Sequence, residues 1–558
     1  MIELVAQNLA PIMFLSLIVF LLLGYPVAFS LAANGLMFFV IAVELSPYSH
    51  EISLAWPLLQ TLPARLLEVM RNETLLAIPF FTFMGIILEK SGMAEDLLDT
   101  IGQLFGPVRG GLAYAVILVG ALLAATTGVV AASVIAMGLI SLPIMLRYGY
   151  DRSLATGAIA ASGTLAQIIP PSLVLIVLAD QLGRSVGDMY AGAIIPGLLL
   201  TGLYCLYVLW VSVMSPEKVP ALPLSARTLT GSPLPLLALA VAGLAVALAA
   251  YFILARLMEN GAGVWAATIA IVIVYAYALA DQRLGLNTLS RLAQQVIIVL
   301  VPPLALIFLV LGTIFLGVAT PTEGGAMGAS GAIAMALAKR RLSFTLVSAA
   351  LEATTRLACF VMFILIGSRI FSLTFYGING HIWVEDLFLG LPGGQWGFLA
   401  AVNILVFVLG CFIDFFEIAF IVVPLLAPVA AKLGIDLVWF GVILGVNLQT
   451  SFLTPPFGFA LFYMRSIAPT EPYSDKVTGK TIAGVSTLQI YRGAVAFILI
   501  QVLMICVTLA FPGIAIKRQG PAIDPSTIEI ELPPIGGDSG GLTIPGLPDF
   551  SQPPPVNP

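Results

Sequence analysis

Charge is what this 558-residue chain most lacks: Asp, Glu, Lys and Arg together make up 9% of it, and they leave a net charge of −5. The basic residues are scattered, so no nucleic-acid partner is expected, because a phosphate footprint needs lysines and arginines gathered on one face. Histidine is rarer still. With only His50 and His381, neither bis-histidine haem ligation nor a histidine-rich metal site is expected. Cys205, Cys359, Cys411 and Cys506 stand singly in apolar runs, without the paired spacing of a zinc site or a redox CxxC. They read as small hydrophobic residues, packed or facing lipid. The short alternating segments of a β-barrel are also missing.

What is there is apolar length. Hydrophobic residues make up 60% of the chain, in continuous runs such as "LALAVAGLAVALAAYFIL" (Leu237 to Leu254) that are long enough to cross a bilayer. The fold expected is an all-α polytopic membrane protein. The N-terminus has no basic n-region or small-residue cleavage site, so it reads as a retained first helix. Residues 1–214 form a first membrane block. A connector, 215–290, carries a Pro-rich polar stretch and two extra apolar runs at about 234–256 and 262–281. A second block, 291–516, precedes a tail, 517–558, whose Pro and Gly content predicts disorder. The cluster Lys339 to Arg341 is the densest basic one and is assigned to the cytoplasmic side.

The two blocks repeat each other. "LPIMLRYGYDRSLATGAIAASGTLAQIIPPS" (Leu142 to Ser172) and "APVAAKLGIDLVWFGVILGVNLQTSFLTPPF" (Ala427 to Phe457) align without a gap at one offset of 285 residues. Pro143 meets Pro428, Arg147 meets Lys432, Gly149 meets Gly434, Asp151 meets Asp436, and Pro170 with Pro171 meets Pro455 with Pro456. Ser162 meets Asn447, and Thr164 meets Gln449. Apolar runs match one another by chance, but proline, glycine, acid and base in one register do not. Secondary carriers are often built from such inverted repeats, with binding sites where paired helices break.

A proline pair inside a span leaves upstream carbonyls, here those of Ala166 and Gln167, without amide partners, and unsatisfied backbone in hydrocarbon costs several kcal/mol. Ser162, Gly163 and Thr164 offer oxygens there for a hard cation such as Na+. Asn447, Gln449, Thr450, Ser451 and Thr454 offer the same before Pro455. The alternative is a structural kink in which Ser and Thr bond back to their own helix.

Other breaks accompany these two. "ATTGVVAAS" (Ala125 to Ser133) has "FIDFFEIAF" (Phe412 to Phe420) as its approximate counterpart. There Asp414 is an expected cation ligand, because an intramembrane carboxylate is expensive to bury, while Glu417 is expected near an interface as a solvated charge. Glu323, in "GVATPTEGGAMGAS" (Gly317 to Ser330), has either a functional role or a place in a tight helix-packing surface. Arg356 and Arg369 are expected to snorkel to the interface, the alternative being a carboxylate partner or an anionic substrate.

Together these motifs resemble the large membrane (M, or DctM) subunit of tripartite ATP-independent periplasmic (TRAP) transporters. The likeness runs from about Leu9 to Met214 and resumes from about Arg291 to Ile467. It is carried by "IPFFTFMGIILEKSGMAEDL" (Ile78 to Leu97), "GYDRSLATGAIAASGTLAQIIPPS" (Gly149 to Ser172), "SVGDMYAGAIIPG" (Ser185 to Gly197), "GVATPTEGGAMGA" (Gly317 to Ala329) and "NLQTSFLTPPFGFALF" (Asn447 to Phe462).

The resemblance implies two inverted repeats with re-entrant hairpins and broken helices, arranged as an elevator-type scaffold plus transport domain in the bacterial inner membrane. It implies Na+ where a hairpin tip meets a broken helix: Thr126, Thr127 and Gly128 with Ser162, Gly163 and Thr164, and Asp414 with Asn447, Gln449 and Thr450. The substrate path is expected to pass Pro170, Pro171, Glu323, Pro455 and Pro456. The partners implied are a small membrane subunit (Q), a periplasmic substrate-binding protein and an organic-acid substrate such as a C4-dicarboxylate. Two features depart from the family pattern: Thr126-Thr127-Gly128 stands where Ser-Gly-Ser is common, and the runs at 234–281 and the tail exceed the common core.

A stand-alone carrier of the same superfamily is the alternative function. An intramembrane enzyme is not expected, because no histidine lies in these motifs. "SDKVTGKT" (Ser474 to Thr481) ends like a phosphate-binding loop but lacks the first glycine, and no strand is expected before it.

Overall fold

Helices stand where the apolar runs predicted them. The computed structural model describes residues 2–516 apart from 50, 51, 230, 232, 233, 259, 260, 287 and 476. The tail for which disorder was expected lies outside the described residues. The first block holds α1 (Ile2–Gln7), α2 (Leu9–Leu22), α3 (Val27–Leu45), α4 (Leu62–Met70), α5 (Glu73–Lys90), α6 (Met93–Phe105), α7 (Gly111–Thr127), α8 (Val130–Arg147), α9 (Arg152–Thr164), α10 (Leu173–Gln181) and α11 (Val186–Met214). The connector adds α12 (Leu234–Leu254) and α13 (Ala262–Leu284). The second block holds α14 (Arg291–Phe315), α15 (Pro321–Ala338), α16 (Phe344–Gly377), α17 (Gly380–Leu389), α18 (Gly394–Gly410), α19 (Phe415–Glu417), a π-turn (Ile418–Val422), α20 (Val423–Lys432), α21 (Leu437–Leu453), α22 (Phe459–Ile467) and α23 (Thr487–Ala510), with a two-stranded ribbon, β1 (Tyr473–Ser474) and β2 (Thr481–Ile482), before the last helix. Among the described residues, nine helices are long and apolar enough to cross a membrane, and two bent helix pairs pass the same test.

The 285-residue offset reappears in three dimensions. Asp151 and Asp436 cap α9 and α21 in the same way, each side chain accepting an amide hydrogen bond at 2.9 Å, from Leu154 and Trp439 respectively. Both α8 and the α19–α20 segment begin and end at positions 285 apart.

Packing is reciprocal between the blocks. α3 lies on α16 and α5 on α15; α9 lies on α23 and α11 on α21; α8 lies on α22 and α10 on α20. Each helix thus meets the counterpart of its counterpart's neighbour, as a two-fold relation requires.

The α9–α23 crossing is close because both faces are glycine. A Cβ on Gly493 would lie 1.9 Å from the Ser153 carbonyl oxygen, and one on Gly157 would lie 2.3 Å from that of Gly493. Without side chains the two backbones touch, and the halves interlock.

The extra helices attach differently. α12 buries none of its side chains. α13 is tied to the start of α14 by the buried Asp281, whose carboxylate accepts from Thr288 N and Oγ1, Leu289 N and Gln294 Nε2.

Candidate functional site

Two helical hairpins meet two broken helices. In the first, α7 turns into α8 through Gly128, whose φ of 61° suits a residue without a side chain. Gly128 lies against the start of α10, where a Cβ would come within 2.7 Å of Leu173 Cγ. Gly163 faces α8, with its notional Cβ 2.4 Å from Val134 Cγ2. The tip glycine thus packs on the start of α10, and the end of α9 packs on α8 at Val134, six residues beyond the tip. The side chains of Thr126 and Thr127 lie outside the described residues.

α9 ends at Thr164, short of the proline pair, because a proline ring clashes with the carbonyl four residues back and biases the preceding residue away from helix. A 3-10 turn, Leu165–Gln167, follows, and α10 resumes beyond Pro170 and Pro171, which are joined by a cis bond. Gln167 O does not wait for a cation: Ser172 Oγ donates to it at 2.9 Å. Tyr190 OH in turn donates to Ser172 O at 3.4 Å. The second break repeats the cis proline pair, Pro455–Pro456, but Phe457 stands where Ser172 does in the first, and a tyrosine at a different position, Tyr491, donates its OH to Pro456 O at 3.3 Å.

Inside the first break Ser162, Gly163 and Thr164 are fully buried. Ser162 Oγ donates to Ile159 O and Thr164 Oγ1 to Ala161 O, each at 2.9 Å. Both hydroxyl protons are thus turned back into the helix, leaving the oxygens as acceptors. Gln501 Nε2, from α23, approaches Thr164 Oγ1 at 3.3 Å and donates to Tyr204 OH at 2.7 Å.

In the second break Asn447 Nδ2 donates to Asn403 O and Oδ1 at 2.7 and 2.9 Å. Thr450 Oγ1 donates to Val446 O at 3.3 Å. Among the described residues Asn447 Oδ1 is buried without a partner, as are both side-chain polar atoms of Gln449 and of Gln167. Buried amides without partners are rare and costly. Gln167 packs toward α21, where a Cβ on Gly445 would stand 3.9 Å from its carbonyl oxygen.

The second hairpin tip presses on the end of α21: a Cβ on Gly410 would be 2.3 Å from Ser451 Oγ, and the Phe412 and Phe457 rings lie 5.1 Å apart. Half-buried Asp414 caps α19, its Oδ1 accepting from Phe415 N at 2.7 Å while its own N–H donates to Glu417 Oε2 at 3.1 Å. Glu417 is buried, so the expectation of a solvated charge at an interface is corrected. Its position in the capping box, three residues after Asp414, draws it inward.

Glu323 closes a capping box of its own with Thr320 at the exposed start of α15. The glycines after it do form the tight surface: Gly325 meets Phe80 and Phe81 of α5, and Gly328 meets Met84. Arg356 pairs with Glu352 one turn away, both exposed. Arg369 instead lines a cavity of about 500 Å³ together with Arg65, a residue that no sequence motif singled out. Gln167 as a side chain, Asn403, Tyr204 and Gln501 were missed as well; their signal was a lone polar group in an apolar helix.

The phosphate-loop likeness is not supported by the ribbon. A short strand, β1, does precede it, against expectation, yet Lys480 leads into β2 and not into a helix. The Asp475 carboxylate there accepts from Thr478 N and Oγ1 and from the Arg147 guanidinium. Among the described residues no group of three or more His, Cys, Asp or Glu could hold a metal ion. Amide, hydroxyl and carbonyl oxygens are the donors these breaks offer, and they suit a hard cation.

Residues 14–514 match the family model described as "Tripartite ATP-independent periplasmic transporter, DctM component". A relative from Pseudomonas aeruginosa, "C4-dicarboxylate TRAP transporter large permease protein DctM", is 30% identical over 413 residues, which is 73% of this chain and 81% of the relative. "Isethionate TRAP transporter permease protein DctMQ" from Oleidesulfovibrio alaskensis is 26% identical over 82% of this chain and 60% of that one. Among solved structures, the YdaH transporter of Alcanivorax borkumensis is 15% identical, with a TM-score of 0.46 over 87% of this chain and 98% of that one.

Proposed function

The chain belongs to the DctM family of tripartite ATP-independent periplasmic transporters as a large permease subunit, not an enzyme, and from that premise we propose that it imports a small organic acid in symport with Na+. The observation that carries this reading is the pair of hairpin tips set against two breaks 285 residues apart, with buried amide oxygens at Asn447 and Gln449 that lack a partner among the described residues. Such oxygens fit Na+. The sites proposed are Gly128 with Ser162, Gly163 and Thr164, and Asp414 with Asn447, Gln449 and Thr450, with Thr126 and Thr127 assigned from sequence. Relatives named for C4-dicarboxylates and for isethionate support an organic anion as substrate.

Movement is proposed to follow the reciprocal packing. One interlocked group is α3, α5, α15 and α16, and the other is α8–α11 with α20–α23. We assign the first to a fixed scaffold and the second to a transport domain that travels as an elevator, the halves being inverted repeats. A small membrane subunit and a periplasmic binding protein complete the system in the bacterial inner membrane.

The test is uptake into proteoliposomes that contain this chain and both partners. Uptake of the anion should require an inward Na+ gradient and stop when choline replaces Na+. Equal uptake in choline would overturn the coupling.

A further inference from the structure

The Arg65 and Arg369 cavity is not part of either break. It opens where α16, of the proposed scaffold, and α4, which packs on it, face the end of α10 and the π-turn, and its wall includes Gln181, Ser372 and Phe420. The wall is thus shared by the two groups of helices. Arg369 lies on the last third of α16, a helix that passes the membrane-span test, and is half-buried; Arg65 is exposed to the opening. Among the described residues neither guanidinium has an ion-pair or hydrogen-bond partner.

The acid beside the cavity is already engaged. Asp180, adjacent to Gln181 in the chain, accepts from Asn72 Nδ2 on Oδ1 and from Gln181 Nε2 on Oδ2, each at 2.7 Å. Neutral amides occupy it, and among the described residues no carboxylate forms an ion pair with either arginine. Cations in a membrane-embedded wall are costly unless an anion meets them, and a guanidinium presents the planar fork that matches a carboxylate. The volume, about 500 Å³, suits a small organic molecule, for which pockets run roughly 300–1,000 Å³. On the transport-domain side the π-turn, a form often found at functional sites, brings Phe420 to the wall, and Ser368 Oγ donates to the Phe420 carbonyl at 2.7 Å. The Phe420 carbonyl is therefore satisfied, and the two guanidiniums remain as the groups for an anion to meet.

We propose that the transported anion binds in this cavity, its carboxylate or sulfonate held by Arg369 and Arg65 and its body against Phe420. This rests on the organic-anion reading above and goes beyond it by naming the site. The anion then bridges scaffold and moving domain at a place distinct from the Na+ oxygens.

The same chemistry could be met by an anionic lipid headgroup, so the full chain is tested in phosphatidylcholine nanodiscs and again with phosphatidylglycerol. Binding is read as a melting shift with succinate, N-acetylneuraminate and isethionate as soluble probes. At least one should stabilise the wild-type chain in phosphatidylcholine. Arg369→Gln should weaken that probe at least about tenfold, as expected for loss of a charge-assisted hydrogen bond, Arg65→Gln should weaken it less, and Arg369→Lys should keep part of the affinity. Melting without ligand close to wild type shows that a variant folds; if Arg369→Gln does not, Arg369→Lys and Arg65→Gln decide. A probe that binds wild type and folded variants equally overturns the site and leaves the organic-anion reading standing. No shift with any probe in the wild type overturns both. A shift seen only with phosphatidylglycerol, and lost in Arg369→Gln, gives the cavity to lipid and overturns the proposal.

Discussion

Asp414 is asked to do two things with one carboxylate, and a single substitution separates them. As a cap it needs only an oxygen that accepts from Phe415 N, which asparagine also supplies. As a cation ligand it needs its charge. Asp414→Asn should therefore melt within about 2 °C of the wild type while the Na+-dependent part of uptake falls, whereas Asp414→Ala should also lose about 1 kcal/mol of stability. Full Na+-driven uptake by Asp414→Asn would leave the residue with its cap alone. Much at this scale was legible from sequence, because proline pairs and an intramembrane acid announce themselves by type. Gln167 and Gln501 did not. Whether a lone amide in an apolar helix finds a partner is decided by which helix packs over it, and that is not written within reach of the residue.

At the scale of elements, apolar runs were readable and amphipathic pieces were not. α6 mixes Glu95, Asp96 and Asp99 with a buried face of Leu97, Leu98 and Ile101, so no continuous run marks it. α16 begins at Phe344, and its first turns carry Glu352 and Arg356, which satisfy one another on the surface and interrupt the apolar run there. The ribbon before α23 was missed for a different reason: two-residue strands carry no periodicity. That ribbon is strapped to α8 by Arg147, which holds the Asp475 carboxyl, with help from Thr478, down at about 2 from its ordinary 3.8. A depressed acid contributes stability above its unfolded value, and the contribution is lost as pH falls through the folded value. A spin label at exposed Val477 should accordingly keep one mobility from pH 7 to about 4 and loosen only toward pH 2. In Arg147→Gln the loosening should move up toward the ordinary carboxylate range. A transition near pH 6 in the unmodified strap would contradict this account of what fastens it.

For the whole molecule, the repeat was visible as an offset while its consequence was not. Aligning Pro170 with Pro455 says that two halves are alike, but only packing says that α3 lies on α16 while α5 lies on α15, and that α9 and α11 exchange partners with α21 and α23 in the same fashion. Chain order gives no hint of such an exchange, because the partners are hundreds of residues apart and each face is simply apolar. The proposed division into scaffold and transport domain follows this exchange, and few of the described side-chain hydrogen bonds cross it. One that does is Ser368 Oγ to Phe420 O, between α16 and the π-turn. If α16 stays while the π-turn travels, tying these positions together must stop transport without unfolding either body. In a chain whose four cysteines are replaced by serine, Ser368→Cys with Phe420→Cys should keep a measurable uptake when reduced, lowered because Phe420 is gone from the cavity wall, lose most of that remainder when cross-linked by Hg²⁺, and regain it with dithiothreitol. Each single variant should ignore Hg²⁺. Uptake that continues in the fully cross-linked chain would mean that α16 and the second hairpin move together, and the division into scaffold and transport domain would have to be drawn elsewhere.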